Sequence, residues 1–174
     1  YLNNYEELSN TIKELENKQQ KTILFGVTYA LLDLAEKNPQ QLNHTIIMET
    51  GGMKGKRKEM LKEEVHKILK HSFIIEDIHS EYGMTELLSQ SYSKGNNIFK
   101  SPPWKKILIR DVNDPLSIIG NNKTGGINVI DLANIYSCPF IATQDLGRTF
   151  DDDSFSVLGR FDNSDVRGCN LLVQ

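Results

Sequence analysis

The stretch His79–Glu86 (HSEYGMTE) follows a short apolar run, Phe73–Ile75. An apolar run followed by polar turn residues predicts a strand that ends near the motif and a helix that begins after it. Gly83 permits a tight backbone in the turn. Thr85 and Glu86 would supply a hydroxyl and a carboxylate at the helix start, suited to a phosphate and a metal ion. By spacing alone, however, an ordinary turn with a capping threonine is the favoured interpretation.

Helical and buried-strand patterns alternate on the N-terminal side of this stretch. The predicted helices are Tyr5–Gln20, Tyr29–Lys37 and Lys56–His71, and the predicted buried strands are Thr22–Val27, Thr45–Met48 and Phe73–Ile78. A glycine loop, Glu49–Met53, follows the second strand. This order predicts an α/β fold with a mainly parallel sheet and flanking helices.

The pattern changes after Leu88, where short apolar runs alternate with turn residues. The clearest predicted strands are Lys106–Arg110, Ile127–Asp131, Phe140–Thr143 and Phe155–Arg160. Closely spaced strands with Gly, Asn and Asp between them predict antiparallel β structure. We therefore predict an α/β subdomain over residues 1–92 and a smaller, β-rich subdomain with a C-terminal tail over residues 93–174.

Composition limits the class of protein and its partners. The 174 residues are 39% hydrophobic and 25% charged, as expected for a soluble globular protein. A net charge of −3 gives no reason to expect nucleic acid as a partner. No apolar run is long enough to span a membrane, and no secretory signal opens the chain. The only cysteines, Cys138 and Cys169, suggest free thiols and a cytoplasmic protein, with Cys138 buried beside an apolar strand.

Four short motifs, Gly51-Gly52, Tyr82–Glu86, Thr143–Asp145 and Gly159–Asp162, follow one another in a recognisable order. With them the chain resembles the adenylate-forming superfamily, which includes acyl-CoA synthetases, peptide-synthetase adenylation domains and luciferases. Longer strings make it most similar, within that superfamily, to the acyl-protein synthetase family, which serves the fatty acid reductase of bacterial bioluminescence; they are Glu49–Gly55, His79–Leu88, Ile130–Asn134 and Asp165–Asn170. The resemblance begins near Ile23 and implies the core fold of an adenylate-forming enzyme.

This resemblance implies a ligase of the long-chain-fatty-acid–protein type. Such an enzyme uses ATP and Mg²⁺ to activate a carboxylic acid as acyl-AMP and then transfers the acyl group to a protein cysteine. An acyl-accepting reductase or a carrier protein would be its partner. One alternative is an acyl- or aryl-CoA ligase-like enzyme that uses coenzyme A or a carrier protein. The other is a non-catalytic fragment that binds a nucleotide or a partner.

The resemblance also implies which residues bind the nucleoside. Gly51 and Gly52 correspond to the adenine-binding loop, where a missing side chain lets the backbone approach a flat base. Tyr82 corresponds to the aromatic residue that stacks on adenine, and Gly83 follows it in the same cofactor-binding stretch. Asp145 corresponds to the aspartate that accepts hydrogen bonds from the ribose hydroxyls.

Other residues correspond to the phosphate, metal and acyl positions. Thr85 corresponds to a phosphate-contacting hydroxyl, Glu86 to the magnesium ligand, and Arg160 to the arginine near the ribose and phosphate. Cys169 lies near the C-terminus, where the related proteins carry the acylated cysteine. Its thiolate would be the nucleophile, and the neighbouring Arg167 would favour the ionised form.

The chain departs from the superfamily pattern in two ways. It has no Ser/Thr/Gly-rich phosphate loop ending in lysine, and it has no large C-terminal lid. We therefore expect it to correspond to the C-terminal part of such an enzyme, and the fragment alone to lack part of the catalytic machinery. Without a lid, Asp162 at the hinge position carries little weight, and His79 is expected to be a core residue.

Overall fold

The computed structural model describes residues 1, 4–53, 56–58 and 60–161. The chain divides into two compact units, Tyr1–Glu81 and Tyr82–Gln174, whereas the sequence placed the division after residue 92. Each unit has its own hydrophobic core. The units are described separately below.

The first unit alternates helices with parallel strands. Its elements are α1 (Tyr5–Asn17), β1 (Thr22–Val27), α2 (Thr28–Lys37), β2 (Thr45–Thr50), α3 (Lys62–Phe73) and β3 (His79–Tyr82). The strand order is β1-β2-β3, with Thr22 opposite Thr45 and Met48 opposite His79. Parallel neighbours need crossover connections, which α2 and α3 supply. The predicted parallel α/β arrangement is therefore confirmed. Among the described residues, no helix is both long and apolar enough to cross a bilayer.

The core of the first unit comes from one face of each helix and the inward side chains of the strands. Helix α3 contributes Val65, Leu69 and Phe73, which are spaced four residues apart and all buried. Residues at this spacing lie on one helical face. Burying a large apolar side chain stabilises the fold by about 1.5–3 kcal/mol. This shared face therefore decides where α3 packs.

The predicted strand Phe73–Ile78 is wrong, because α3 continues to Phe73 and β3 begins only at His79. The apolar run that suggested a strand is divided between the buried end of the helix and its cap. Ile74 ends the helix in the left-handed conformation, with a φ of 53°. The helical spacing of the buried residues outweighs the local preference for a strand.

The predicted helix Lys56–His71 begins later than expected, at Lys62. Arg57 explains part of the difference, because its guanidinium pairs with two carboxylates of α2, Asp33 and Glu36. These ion pairs hold the segment before α3 against α2. Local periodicity alone does not reveal such contacts.

The predicted helix after the motif is absent. Thr85 and Glu86 lie in a turn, so Thr85 has no helix to cap. The backbone of residues 83–90 is held instead by distant side chains. Asn134 donates to the Glu86 carbonyl at 2.7 Å, and Asp131 accepts from the backbone N–H of Ser89 at 2.9 Å. Long-range hydrogen bonds replace the helical ones that the sequence predicted.

The second unit is an antiparallel sheet, as predicted. Its strands are β4 (Ser91–Ser93), β5 (Phe99–Lys100), β6 (Lys105–Arg110), β7 (Ile118–Ile119), β8 (Gly125–Asp131), β9 (Phe140–Thr149) and β10 (Phe155–Arg160), with a 3₁₀ turn at Leu132–Asn134. Their order is β4-β5-β10-β9-β8-β6-β7. Phe99, Phe155 and Ile127 lie at the centre of its core.

The prediction that Cys138 is buried is wrong, because Cys138 is exposed. Its thiol lies 3.3 Å from the Phe140 carbonyl oxygen, in the loop that precedes β9. Phe140 is itself 66% exposed. The apolar character of the start of β9 therefore does not reflect burial.

Ile74 provides a test of backbone strain. A left-handed conformation costs an L-residue about 1–2 kcal/mol, and Ile74 is 64% exposed, so little packing would be lost. Glycine removes this strain. Its greater conformational freedom in the unfolded chain, however, lowers the stability by about 0.4–1 kcal/mol. We expect Ile74→Gly to raise the free energy of unfolding in urea by about 0.5–1 kcal/mol.

Ile135 is the matched control, because it is also 64% exposed but has a φ of −57°. Ile135→Gly should lower the free energy of unfolding by about 0.5–1 kcal/mol. Equal destabilisation by both substitutions would contradict strain at Ile74.

Candidate functional site

A partly buried hydrogen bond joins Tyr82 to Asp145. The Tyr82 hydroxyl donates to Oδ2 of Asp145 at 2.8 Å. The tyrosine ring is 9% exposed and packs edge-on against Phe99 and Phe155, with centroid distances of 6.0 and 5.6 Å. Edge-on packing favours one ring orientation. The aromatic core therefore aims the Tyr82 hydroxyl at β9.

The environment of Tyr82 keeps its hydroxyl protonated. Burial raises the pKa of Tyr82 well above its ordinary value, and the negative charge and hydrogen bond of Asp145 raise it further. The Lys105 ammonium lies 5.5 Å from the ring centroid, within the range of a cation–π interaction. Tyr82 is therefore a permanent donor, and Asp145 receives a neutral hydrogen-bond partner rather than a second charge.

Arg160 is the nearest described cation to the Asp145 carboxylate. The two residues are opposite each other in the β9–β10 pairing, and Arg160 Nε lies 3.7 Å from Asp145 Oδ1. A β-bulge between Val157 and Gly159 precedes this pair, and Gly159 has a φ of 147°. Such a bulge changes the direction of the following side chain. It brings the Arg160 guanidinium to the same end of the strand pair as Asp145.

Asp145 keeps acceptor capacity for a ligand. A carboxylate offers about four lone-pair sites, and Tyr82 occupies one of them. The Asp145 side chain is 17% exposed, whereas that of Arg160 is 57% exposed. The arrangement therefore presents a fixed acceptor beside a cation that can move. It can bind a neighbouring pair of hydroxyls together with an anionic group.

A buried arginine supports β9 close to this site. The Arg110 guanidinium donates to the carbonyl oxygens of Ile127 and Thr143 at 2.9 and 2.6 Å, and to Asn128 Oδ1 at 2.7 Å. Thr143 in turn accepts a hydrogen bond from the backbone N–H of Asp145 at 3.1 Å. Arg110 therefore fixes the strand segment that carries Asp145. The sequence assigned Arg110 no role, because its partners lie on other strands.

Thr85 and Glu86 are exposed on the loop that Asn134 and Asp131 hold. Mg²⁺ usually takes one or two carboxylates and completes its coordination with phosphate oxygens and water. Within the described part of the chain, no group of three His, Cys, Asp or Glu side chains could hold a metal ion. A single exposed carboxylate such as that of Glu86 leaves most coordination positions of a Mg²⁺ ion open for phosphate oxygens and water.

Gly51 and Gly52 lie in the first unit, directly after β2. Gly51 adopts a φ of 67°, which favours glycine because it has no Cβ. A Cβ added to Gly52 would meet no atom within 4 Å. The backbone is therefore open beside Gly52, and a flat ligand can approach it closely.

A cluster around the buried Glu49 was missed by the sequence prediction, which placed Glu49 in the glycine loop, whereas the structure places it in β2 and begins the loop at Gly51. Glu49 is 4% exposed, and its Oε1 lies 2.9 Å from Lys62 Nζ and 3.6 Å from His66 Nε2. Thr28 donates to its other oxygen at 2.8 Å. Burial alone would raise the pKa of Glu49, but the adjacent His66 imidazole and the Lys62 charge lower it to about 2. The only sequence signal was an acidic residue at the end of a buried strand.

The predicted site residues fall into separate groups. Tyr82, Asp145 and Arg160 come together in the second unit, whereas Gly51 and Gly52 belong to the first. The backbone of Gly83 does not adopt the left-handed conformation, and a Cβ added to it would lie 3.0 Å from Gln90 Cγ. Cys169 and Asp162 lie outside the described residues. The functions expected for these residues stay predictions.

No known protein family matches this chain, and no curated protein matches it. Solved adenylate-forming enzymes do share its fold. ATP-bound MatB from Rhodopseudomonas palustris has a TM-score of 0.63 and 16% identity over 87% of this chain and 33% of that chain. A mutant coronafacic acid ligase from Pectobacterium brasiliense has a TM-score of 0.63 and 20% identity, and the match covers 91% of this chain and 32% of the ligase.

O-succinylbenzoate coenzyme A synthetase (MenE) from Bacillus subtilis, in complex with ATP and magnesium ion, has a TM-score of 0.56 and 20% identity. That likeness covers 88% of this chain and 34% of the synthetase. The fold predicted from the sequence, that of an adenylate-forming enzyme core, is confirmed. The chain spans about a third of the length of these solved structures.

The Tyr82 hydroxyl should contribute measurably to stability. Tyr82→Phe keeps the ring contacts but leaves Asp145 without its buried donor. A hydrogen bond to a charged group contributes about 1.5–3 kcal/mol, and partial exposure of Asp145 places the expected loss toward the lower value. We expect this loss in the free energy of unfolding measured in urea. Tyr136→Phe, at a fully exposed tyrosine, should change it by less than about 0.5 kcal/mol. Similar small changes in both variants would contradict the Tyr82 assignment.

Glu49 should make stability depend on acid pH. Its pKa falls from an ordinary 4.5 to about 2 on folding, so its contribution is complete above about pH 5 and is lost as the pH approaches 2. The contribution is about 3 kcal/mol. We expect Glu49→Gln to flatten the fall in unfolding free energy between pH 5 and pH 2. An unchanged slope in the variant would contradict the ionised, buried state of Glu49.

Proposed function

We propose that this chain is the nucleotide-binding part of an adenylate-forming ligase, which activates a carboxylic acid with ATP and Mg²⁺. The observation that carries the proposal is the cluster of Tyr82, Asp145 and Arg160 on a fold shared with adenylate-forming enzymes. A carboxylate oxygen of the acid attacks the α-phosphorus of ATP, pyrophosphate leaves, and acyl-AMP forms.

In this proposal Asp145 accepts hydrogen bonds from the two ribose hydroxyls. Its fixed orientation and remaining lone pairs suit two adjacent donors. Arg160 places a positive charge beside the ribose and the α-phosphate. Tyr82 orients Asp145. The resemblance implied that Tyr82 stacks on adenine, but its ring is 9% exposed and packs against Phe99 and Phe155, so in this proposal it only borders the base. Because Tyr82 and Asp145 are held before the ligand arrives, little binding energy is spent on ordering them.

Thr85 and Glu86 would serve the phosphate end of the nucleotide. The Thr85 hydroxyl donates to a phosphate oxygen, and the Glu86 carboxylate holds Mg²⁺. When bound, the ion would supply positive charge against the phosphates. Both residues are exposed, whereas their backbone is held by Asn134, so the side chains are accessible on a supported loop. Gly51 and Gly52 would bind the adenine through their backbone.

The acceptor of the acyl group distinguishes two forms of the proposal. In the first, the substrate is a long-chain fatty acid, and the thiolate of Cys169 attacks the acyl carbonyl while AMP leaves. The thioester would then pass to a reductase or carrier protein in the cytoplasm. In the second, coenzyme A is the acceptor, and the similarity to a coenzyme A synthetase favours this form.

Nucleotide binding is tested by calorimetry with ATP and Mg²⁺. We expect Asp145→Asn to weaken ATP binding by at least about tenfold, because the ribose loses a charged acceptor worth about 1.5–3 kcal/mol. Asp77→Asn, at an exposed aspartate of the first unit, should leave the affinity unchanged. Equal affinity in the wild type and the Asp145 variant would contradict the proposed ribose site.

The acceptor is tested with a radiolabelled acyl-adenylate, which bypasses the activation step. If Cys169 accepts the acyl group, a hydroxylamine-sensitive label should appear on the chain and disappear in Cys169→Ser. The control is Cys138→Ser, because Cys138 is an exposed thiol that could react nonspecifically. A label that persists in the Cys169 variant would contradict the first form. Acylation of added coenzyme A instead would support the second.

A further inference from the structure

We propose that Thr28 and Glu49 are positioning residues that hold the glycine loop at Gly51 in a conformation ready for a nucleotide. The part of this inference that concerns the nucleotide rests on the proposed function, whereas the part that concerns the loop does not. The residues involved belong to the first unit.

The Thr28 hydroxyl lies between a buried carboxylate and the loop backbone. Its single proton is shared: the short bond goes to Glu49 Oε2 at 2.8 Å, and weaker, longer contacts reach the carbonyl oxygens of Thr50 and Gly51 at 3.4 and 3.3 Å. Thr28 is the first residue of α2, and Val27 before it is opposite Thr50 in the parallel pairing. The hydroxyl is therefore fixed at the point where β2 ends and the loop begins.

Glu49 is itself held from several directions. Lys62 and His66 approach it from α3, and the register places Ser80 of β3 opposite it. Ser80 is fully buried, so this side of Glu49 is closed to solvent. A buried charge with partners on separate elements strongly disfavours movement, because displacement would leave it unpaired.

The loop needs this support because of its glycines. Gly51 has a φ of 67°, and a Cβ added to Gly52 would meet no atom within 4 Å, so the two glycines contribute no side chain of their own that would fix the loop. Glycine visits many backbone conformations when it is free. A loop fixed in advance reduces the entropy that ligand binding must remove. Thr28 and Glu49 therefore act on binding through the loop.

The alternative is that the cluster only stabilises the first unit. Three substitutions separate the two explanations. Thr28→Val removes the hydroxyl and keeps the shape, and Thr28→Ser restores the hydroxyl. Thr45→Val is the matched control, because Thr45 is a buried threonine at the other end of β2, where its hydroxyl donates to Glu16 at 2.6 Å.

The first measurement needs no ligand and follows the backbone order parameters of Gly51 and Gly52 by ¹⁵N relaxation. We expect order parameters near those of a rigid backbone, about 0.85, in the wild type and in the variants Thr28→Ser and Thr45→Val. In Thr28→Val we expect them to fall below about 0.6. Unchanged order parameters in Thr28→Val would overturn the proposal. If Thr28→Val does not fold, Thr28→Ala removes the hydroxyl without adding a methyl group there, and the same comparison applies.

The second measurement is calorimetric affinity for ATP with Mg²⁺. We expect Thr28→Val to bind about tenfold more weakly, with Thr28→Ser and Thr45→Val within about twofold of the wild type. Lower order parameters with unchanged affinity would overturn the link to binding. If Thr28→Val lowers the order parameters but even the wild-type chain binds no ATP, the loop assignment would be supported and the proposed function contradicted.

Discussion

The geometry of the second unit depends on the hydrogen bond between Tyr82 and Asp145. It joins residues that are 63 positions apart in the chain. The ring of Tyr82 is held by the aromatic core, and the raised pKa of its hydroxyl keeps the proton in place. Asp145 is therefore oriented before any ligand binds. A partly buried carboxylate without such a donor would be costly, and its direction would not be defined.

Side chains that reach backbone groups from far away support the rest of this region. Arg110 donates to carbonyl oxygens of β8 and of β9, the strand that carries Asp145. Asn134 holds the turn that carries Thr85 and Glu86. A functional group on a loop is useful only when a second layer of contacts fixes it. The same principle operates in the first unit, where a buried glutamate stands directly before the glycine loop.

The regular elements could be predicted from the sequence because local periodicity determines them. The bounds of β1 and β10 agree with the prediction, and the parallel-then-antiparallel order is confirmed. The failures lie where long-range contacts override local pattern, as in the turn after Tyr82, which Asn134 holds from 48 positions away. Resemblance to a family suggested Asp145 and Arg160 as site residues. It could not suggest Arg110, because the value of a buried arginine depends on carbonyl groups that only the fold brings together.

The central claim is that Asp145 binds the ribose of ATP, and removal of the ribose hydroxyls tests it most directly. The affinities of the wild type and of Asp145→Asn would be measured for ATP and for 2′,3′-dideoxy-ATP. The account predicts that the wild type loses at least about tenfold in affinity when the hydroxyls are absent, because a charged acceptor loses its partners. The variant should lose little. Equal losses in both proteins, or no loss in the wild type, would contradict the account.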